Sequence, residues 1–306
     1  MSRHLLCLED LGEQGLARVL QLAGPSGAGR LLSGSSVALL FEHPSARTRN
    51  AFEAAVFQLG GHPVTIRAEE VGIDARETAE DVARTLACYH RLVCARVVAH
   101  STLERMAGAL DAAGLAVPVL NLLSNKEHPS QAVADLLTLQ AHLGELKGAT
   151  LAYVGDANNV SRSLVAAGAL VGMRVNLASP PGYAMSEAEL TWASGIGGEV
   201  HLFEDPAEAV READALYTDV WVSMGQTAEK AARQRAFSGY RLDEDLVSKA
   251  PAHAIVMHCL PAHRGEEISA GVLDGPRSVV WEQAANRMHA ARGLLAYLLE
   301  EGGAAQ

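Results

Sequence analysis

Short runs of Val, Leu, Ile and Ala recur along the chain and alternate with longer stretches whose apolar positions repeat at helical period. Runs apolar on both faces read as strands of a parallel sheet, and the amphipathic stretches between them as the helices that cover it. Strands are expected at 36–42, 93–98, 117–120, 150–154, 174–178, 215–218, 254–258 and 278–281, with helices at 49–59, 78–89, 130–143, 160–171, 206–212 and 287–300. The segment Gly144-Glu145-Leu146-Lys147-Gly148 ends one helix and precedes a fresh strand, which marks a hinge. The 306 residues suffice for two ordinary domains. The pattern therefore predicts an α/β protein of two doubly wound domains, at 1–143 and 147–306, each with a central parallel sheet flanked by helices.

In such sheets ligands gather beyond the carboxyl ends of the strands, where helix N-termini present free N–H groups. Polar clusters follow the expected strands in this way at 45–49, at Arg96, at 128–131, 155–159, 219–225 and 258–261. Composition narrows what they hold. A formal net charge of -11 and a pI near 5.5 argue against nucleic acid or an anionic membrane as partner, so any phosphate site must be a local basic cluster. Cys7, Cys88, Cys94 and Cys259 show neither paired metal spacing nor the density of a secreted disulfide scaffold, and read as reduced thiols. The opening residues Met-Ser-Arg-His-Leu-Leu lack a signal-peptide core, and no uninterrupted apolar run is long enough to span a bilayer, so a cytoplasmic protein is expected.

The first cluster, Phe41-Glu42-His43-Pro44-Ser45-Ala46-Arg47-Thr48-Arg49, places a Ser, a Thr and two Arg where a strand gives way to a helix. Backbone N–H groups, the Ser45 and Thr48 hydroxyls and the Arg47 guanidinium form a cradle for the oxygens of a phosphoryl group. Further on stand His128-Pro129-Ser130-Gln131 with Asp135 one turn later, Asp219-Val220-Trp221-Val222-Ser223-Met224-Gly225, His258-Cys259-Leu260-Pro261 and Glu282-Gln283-Ala284-Ala285-Asn286-Arg287. Taken singly, each has a plain structural reading: a capped helix, a packed histidine, a glycine-ended turn, a buried small apolar thiol, a helix-start arginine.

Together, in this order, they resemble the aspartate and ornithine transcarbamylase family from about residue 35 onward. Ser-x-Arg-Thr-Arg is that family's carbamoyl phosphate signature, and Ala46 stands where many members have Thr, removing one hydroxyl contact. The resemblance implies transfer of a carbamoyl group from carbamoyl phosphate to the side-chain amine of ornithine, the Ser-Met-Gly loop being that of the ornithine-using members. It implies that Ser45, Arg47, Thr48, Arg96, His128, Gln131, Cys259, Leu260 and Arg287 bind carbamoyl phosphate, with Arg96 and His128 polarising its carbonyl. Asp219 and the Ser223 hydroxyl would bind the α-ammonium of ornithine, and the Asn159 amide and Met224 N–H its carboxylate. Cys259 beside Asp219 would position and help deprotonate the attacking amine, while the Leu260 carbonyl would hold the carbamoyl nitrogen. Further implications are a C-terminal helix at about 287–300 that packs back on the first domain, domains that close on their substrates, a homotrimer or multiple of one, and no metal or organic cofactor. One departure is Glu69-Glu70-Val71-Gly72, near where many ornithine enzymes place a Gln that reaches a neighbouring subunit. An acid there repels phosphate, so that contact is left out of the site.

Three alternatives compete with this reading. A transcarbamylase for putrescine or acetylornithine is disfavoured by Ser223-Met224-Gly225. A dinucleotide-dependent dehydrogenase is disfavoured because a single Gly155 precedes Asp156, Ala157, Asn158 and Asn159, without the Gly spacing that lets backbone approach a pyrophosphate. A non-catalytic metabolite-binding paralogue is expected to have lost Arg47, His128 or Cys259, and all three are present.

Overall fold

A computed structural model describes residues 4–24, 29–222 and 229–302. The chain forms two compact units, Met1–Ala134 with Arg287–Gln306, and Asp135–Asn286. The first holds β1 (Ser36–Phe41), β2 (His62–Arg67), β3 (Leu92–Arg96) and β4 (Val119–Leu123), all parallel in the order β2-β1-β3-β4. The second holds β5 (Thr150–Val154), β6 (Arg174–Ala178), β7 (Glu199–Phe203), β8 (Ala215–Thr218) and β9 (Ile255–His258), parallel in the order β7-β6-β5-β8-β9. Helices flank both sheets, as the alternation predicts.

The central strands form where the sequence is apolar on both faces. Every residue of β3, β5 and β8 is buried, as are five of the six in β1. The two strands missed by the hydrophobic pattern are the edges β2 and β7, where His62, Arg67, Glu199 and His201 are exposed and break the apolar run. The expected strand at 278–281 does not form. Ser278 makes an isolated bridge to Val256, and Val279 C=O accepts from Gln283 N at 2.9 Å, so the helix Val280–Gly302 begins where the strand was expected. The strongly helical run after Trp281 captures the carbonyls that a fifth inter-strand ladder would need.

Helix boundaries follow local chemistry. Asn158 caps the helix Asn159–Val171, its Oδ1 accepting from Val160 N at 2.8 Å and Ser161 N at 3.2 Å, and Gly172 ends it at φ 71. Thr78 caps Ala79–Ala87 in the same way. The chain passes between the compact units inside the helices Pro129–Leu143 and Val280–Gly302, while residues 144–148 form the turn from the former into β5. Among the described residues no helix is long and apolar enough to cross a membrane.

Candidate active site

In the first unit, the carboxyl ends of β1 and β3 and the start of the helix Pro129–Leu143 bring their polar residues together with Arg287. Ser45 is extended (φ -147, ψ 97) ahead of the helix Ala46–Gln58, and its Oγ donates to Thr48 Oγ1 at 3.0 Å. Arg287 Nη2 donates to the same Thr48 oxygen at 2.7 Å, which ties the far end of the sequence to the cradle. Arg96 is the last residue of β3 and is 8% exposed; its Nε is buried without a hydrogen-bond partner. Burial, and then the positive charges of Arg287 and Arg47, push the Arg96 guanidinium down to about 10, and no acidic group among the described residues offsets them. His128 is buried, and desolvation followed by the same Arg287 and Arg96 charges holds its ring well below the usual histidine range. It is therefore a neutral imidazole, able to donate one N–H without adding charge. Gln131 is buried beside it in the first turn of its helix. The charges of Arg287 and Arg47 act on the buried Arg96, whose Nε has no hydrogen-bond partner among the described residues, an arrangement suited to a multiply charged anion.

In the second unit, the ends of β8 and β9 present Asp219 and Cys259. Cys259 Sγ donates to Asp219 Oδ1 at 3.0 Å, and Asn158 Nδ2 donates to Asp219 Oδ2 at 3.1 Å, so both carboxylate oxygens are oriented by neighbours. Leu260 follows with φ 60, a left-handed backbone sparsely populated by side chains of its kind, and its N donates to His258 Nδ1 at 2.9 Å. His258 Nε2 pairs with the fully buried Glu267 at 3.1 Å. Donor atoms of Asp219, His258 and Cys259 all lie within 4.8 Å of one another, as a metal site requires. Both ring nitrogens of His258 are already engaged, however, so the set reads as a hydrogen-bonded network rather than a ligand shell.

The geometry thus gathers Ser45, Arg47, Thr48, Arg96, His128, Gln131 and Arg287 in the first unit, and Asp219, Cys259 and Leu260 in the second. Asn159 lies in the first helical turn beyond β5, half-buried, with its C=O accepting from Ser163 Oγ at 2.8 Å. Ser223 and Met224 lie outside the described residues. Glu70 is exposed and accepts from Arg67 N at 3.3 Å. Sequence reasoning missed Asn158, which both caps its helix and holds Asp219; an Asn before an apolar helical run was the available signal. It also missed Arg233, buried at 3% exposure, which pairs with Asp156 and donates through Nε to the Trp221 carbonyl at 2.5 Å. Arg233 sits in an exposed-looking Lys/Arg-rich segment, where nothing local announces burial.

Comparison with known proteins gives matches over nearly the whole chain. A family model described as "Aspartate/ornithine carbamoyltransferase, carbamoyl-P binding domain" matches residues 3–141, and one described as "Aspartate/ornithine carbamoyltransferase, Asp/Orn binding domain" matches 147–298. An ornithine carbamoyltransferase of Parafrankia sp. is 49% identical over 98% of this chain and 97% of its own. The solved structure of the ornithine carbamoyltransferase from Pyrococcus furiosus is similar at a TM-score of 0.91, with 41% identity over 98% of this chain and 97% of that one. An acetylornithine transcarbamylase complexed with acetylcitrulline is more distant, at a TM-score of 0.84 and 28% identity over 96% of this chain and 98% of that one.

Proposed function

Because this chain belongs to the aspartate/ornithine carbamoyltransferase family, we infer that it transfers the carbamoyl group of carbamoyl phosphate to the δ-amine of L-ornithine, giving L-citrulline and phosphate. The observation that carries the reading is the buried Arg96, whose Nε has no hydrogen-bond partner and on which the charges of Arg287 and Arg47 act, beside a neutral His128. A phosphate dianion supplies the negative charge that Arg96 lacks. The His128 N–H and the Arg96 guanidinium then face the carbamoyl oxygen and stabilise the negative charge that develops on it as the amine adds. Ser45, Thr48 and Gln131 complete the hydrogen bonds to the ligand, and the Leu260 carbonyl accepts from the carbamoyl nitrogen.

The first unit is the carbamoyl phosphate domain in this scheme and the second the ornithine domain. Asp219 holds the ammonium end of ornithine, with Ser223; Asn159 and the Met224 N–H take its carboxylate. Cys259 orients the δ-amine, which must lose a proton before its lone pair attacks the carbonyl carbon. The C–N bond forms, the C–O bond to phosphate breaks, and phosphate leaves with the electron pair while the second amine proton is shed. Carbamoyl phosphate is already activated, so the step needs no metal or organic cofactor. Activity rises with pH as the amine deprotonates. The reading includes a cytoplasmic location, in keeping with four cysteines that form no disulfide, and a homotrimer or multiple of trimers. It also includes a place in arginine biosynthesis, since a Pyrococcus furiosus relative 42% identical over 97% of this chain is named an anabolic ornithine carbamoyltransferase.

The test is a citrulline assay on purified protein with carbamoyl phosphate and, in parallel, ornithine, acetylornithine, putrescine and aspartate. Product from ornithine alone supports the assignment, and product only from another amine overturns it. Asp219→Asn is expected to damage ornithine use while leaving phosphate-dependent stabilisation intact; equal loss on both sides contradicts its role.

A further inference from the structure

Gln283 takes no part in the chemistry above, yet it is 1% exposed and ends in a closed set of hydrogen bonds. Its Oε1 accepts from His258 N at 2.9 Å, which fixes the orientation of the amide. Its Nε2 therefore donates to Asp135 Oδ1 at 2.7 Å and to Tyr217 Oη at 3.2 Å, while the Tyr217 hydroxyl donates to Asp135 Oδ2 at 3.0 Å. Asp135 and Tyr217 are also fully buried, and Tyr217 stacks on Tyr153 at 5.8 Å between ring centroids. Each donor in the ring has an acceptor, so the network is stiff and intolerant of a lost member.

Its outlet is the backbone of His258, the last residue of β9. The next two residues are Cys259, whose thiol donates to Asp219, and Leu260, held at φ 60 by its own N–H to His258 Nδ1. A side-chain-bearing residue persists in that conformation only when its surroundings over-determine it. His258 is pinned from two sides, by Glu267 on the ring and by Gln283 on the backbone. We propose that Gln283 is a positioning residue that, braced on Asp135 and Tyr217, holds the His258-Cys259-Leu260 turn in the geometry that aims the Cys259 thiol and the Leu260 carbonyl. The functional consequence rests on the carbamoyl-transfer reading; the placement of the turn does not.

The polarity of the ring supplies the test. Gln283→Leu removes all three bonds, leaving His258 N without its side-chain acceptor and Asp135 without the Gln283 donor. Gln283→Glu keeps an acceptor for His258 N but sets a carboxylate against Asp135. Adding Asp135→Asn to Gln283→Glu exchanges donor and acceptor, restoring the bond to position 135, the acceptor for His258 N and the acceptor for Tyr217. Citrulline formation and hydrogen exchange of the peptide carrying 258–260 are measured for all four full-length proteins. Both single variants are expected to lose kcat about ten- to a hundredfold, as misplacement of reacting groups by an ångström does. The Gln283→Glu deficit relative to the native chain shrinks as pH falls, because one shared proton turns the facing carboxylates into a donor and an acceptor. The double variant recovers most of kcat and the native exchange protection. Folded single variants with native kcat and native protection at 258–260, or a double variant no better than Gln283→Glu, overturn the proposal. If the native chain forms no citrulline, the carbamoyl-transfer reading fails and the exchange data alone decide the role of Gln283.

Discussion

Replacing Arg96 with Met is expected to make the ligand-free protein more stable and its anion binding weaker. The magnitude follows from the crowding of positive charge. Burial and the neighbouring cations push the Arg96 guanidinium from its usual range down to about 10, which places on the order of a few kcal/mol against the charged form in the folded chain. The sign is clear, since a cation with a depressed pKa is easier to keep charged in the unfolded chain at neutral pH. Met fills similar volume without charge, and exchanges of buried charge for apolar groups commonly gain about 1–4 kcal/mol. At about 2–4 °C per kcal/mol for a unit of this size, the melting temperature of the variant is expected to rise by several degrees. Inorganic phosphate or carbamoyl phosphate stabilises the native chain by RT ln(1 + [L]/Kd), and this increment should largely vanish in the variant. Thermal melts of both proteins across a phosphate titration read both quantities at once. A variant less stable than the native chain without ligand, with an undiminished response to phosphate, would refute the account of an unfilled anion site.

Two other perturbations test the electrostatic reading. Removing Arg233 by Arg233→Ala strands the buried Asp156 carboxylate, whose pKa burial already raises, and should destabilise the second unit by about 3–5 kcal/mol in urea melts, with ornithine KM raised more than that of carbamoyl phosphate. The neutral imidazole of His128 gives a pH dependence: its folded pKa lies below the unfolded value of about 6.5, so the unfolded chain binds the proton first and stability falls as pH drops below about 6.5. The slope of that fall, up to about 1.4 kcal/mol per pH unit from this one group, should be reduced in His128→Asn, and an unchanged slope in urea melts between pH 5 and 7 contradicts it.

What the sequence revealed depended on whether the determining physics was local. The central strands β5, β6 and β8 lie at the expected residues because burial on both faces imposes continuous apolar runs. The edge strands β2 and β7 escaped because one side faces solvent and accepts His, Arg and Glu. The residues of the anion cradle were legible as a strand-to-helix motif, and Arg287, 239 positions from Thr48, was placed only by family resemblance. Asn158 and Arg233 illustrate the remainder. Their roles are set by partners 61 and 77 residues away, Asp219 and Asp156, and no window of sequence contains both ends of either interaction.

The buried charges of this chain fall into two kinds, and the difference separates scaffold from site. Arg233 is answered within its own unit by Asp156, the Trp221 carbonyl, and the faces of Tyr183 and Phe237 at 4.8 and 5.4 Å. Its charge is spent on holding the chain at Trp221, immediately before the segment that carries Ser223 and Met224. Arg96 is buried to a similar degree but meets only other cations, and its Nε has no acceptor. In a chain with a net charge of -11, carboxylates are plentiful, so the lack of an acid acting on Arg96 among the described residues is a local arrangement rather than a shortage. A folded protein keeps so costly an arrangement where a ligand completes it, and the ligand must then be small enough to reach a buried guanidinium and carry more than one negative charge. Under the proposed function carbamoyl phosphate meets both conditions: its phosphoryl oxygens would match the guanidiniums, and its carbonyl would take a neutral donor such as His128.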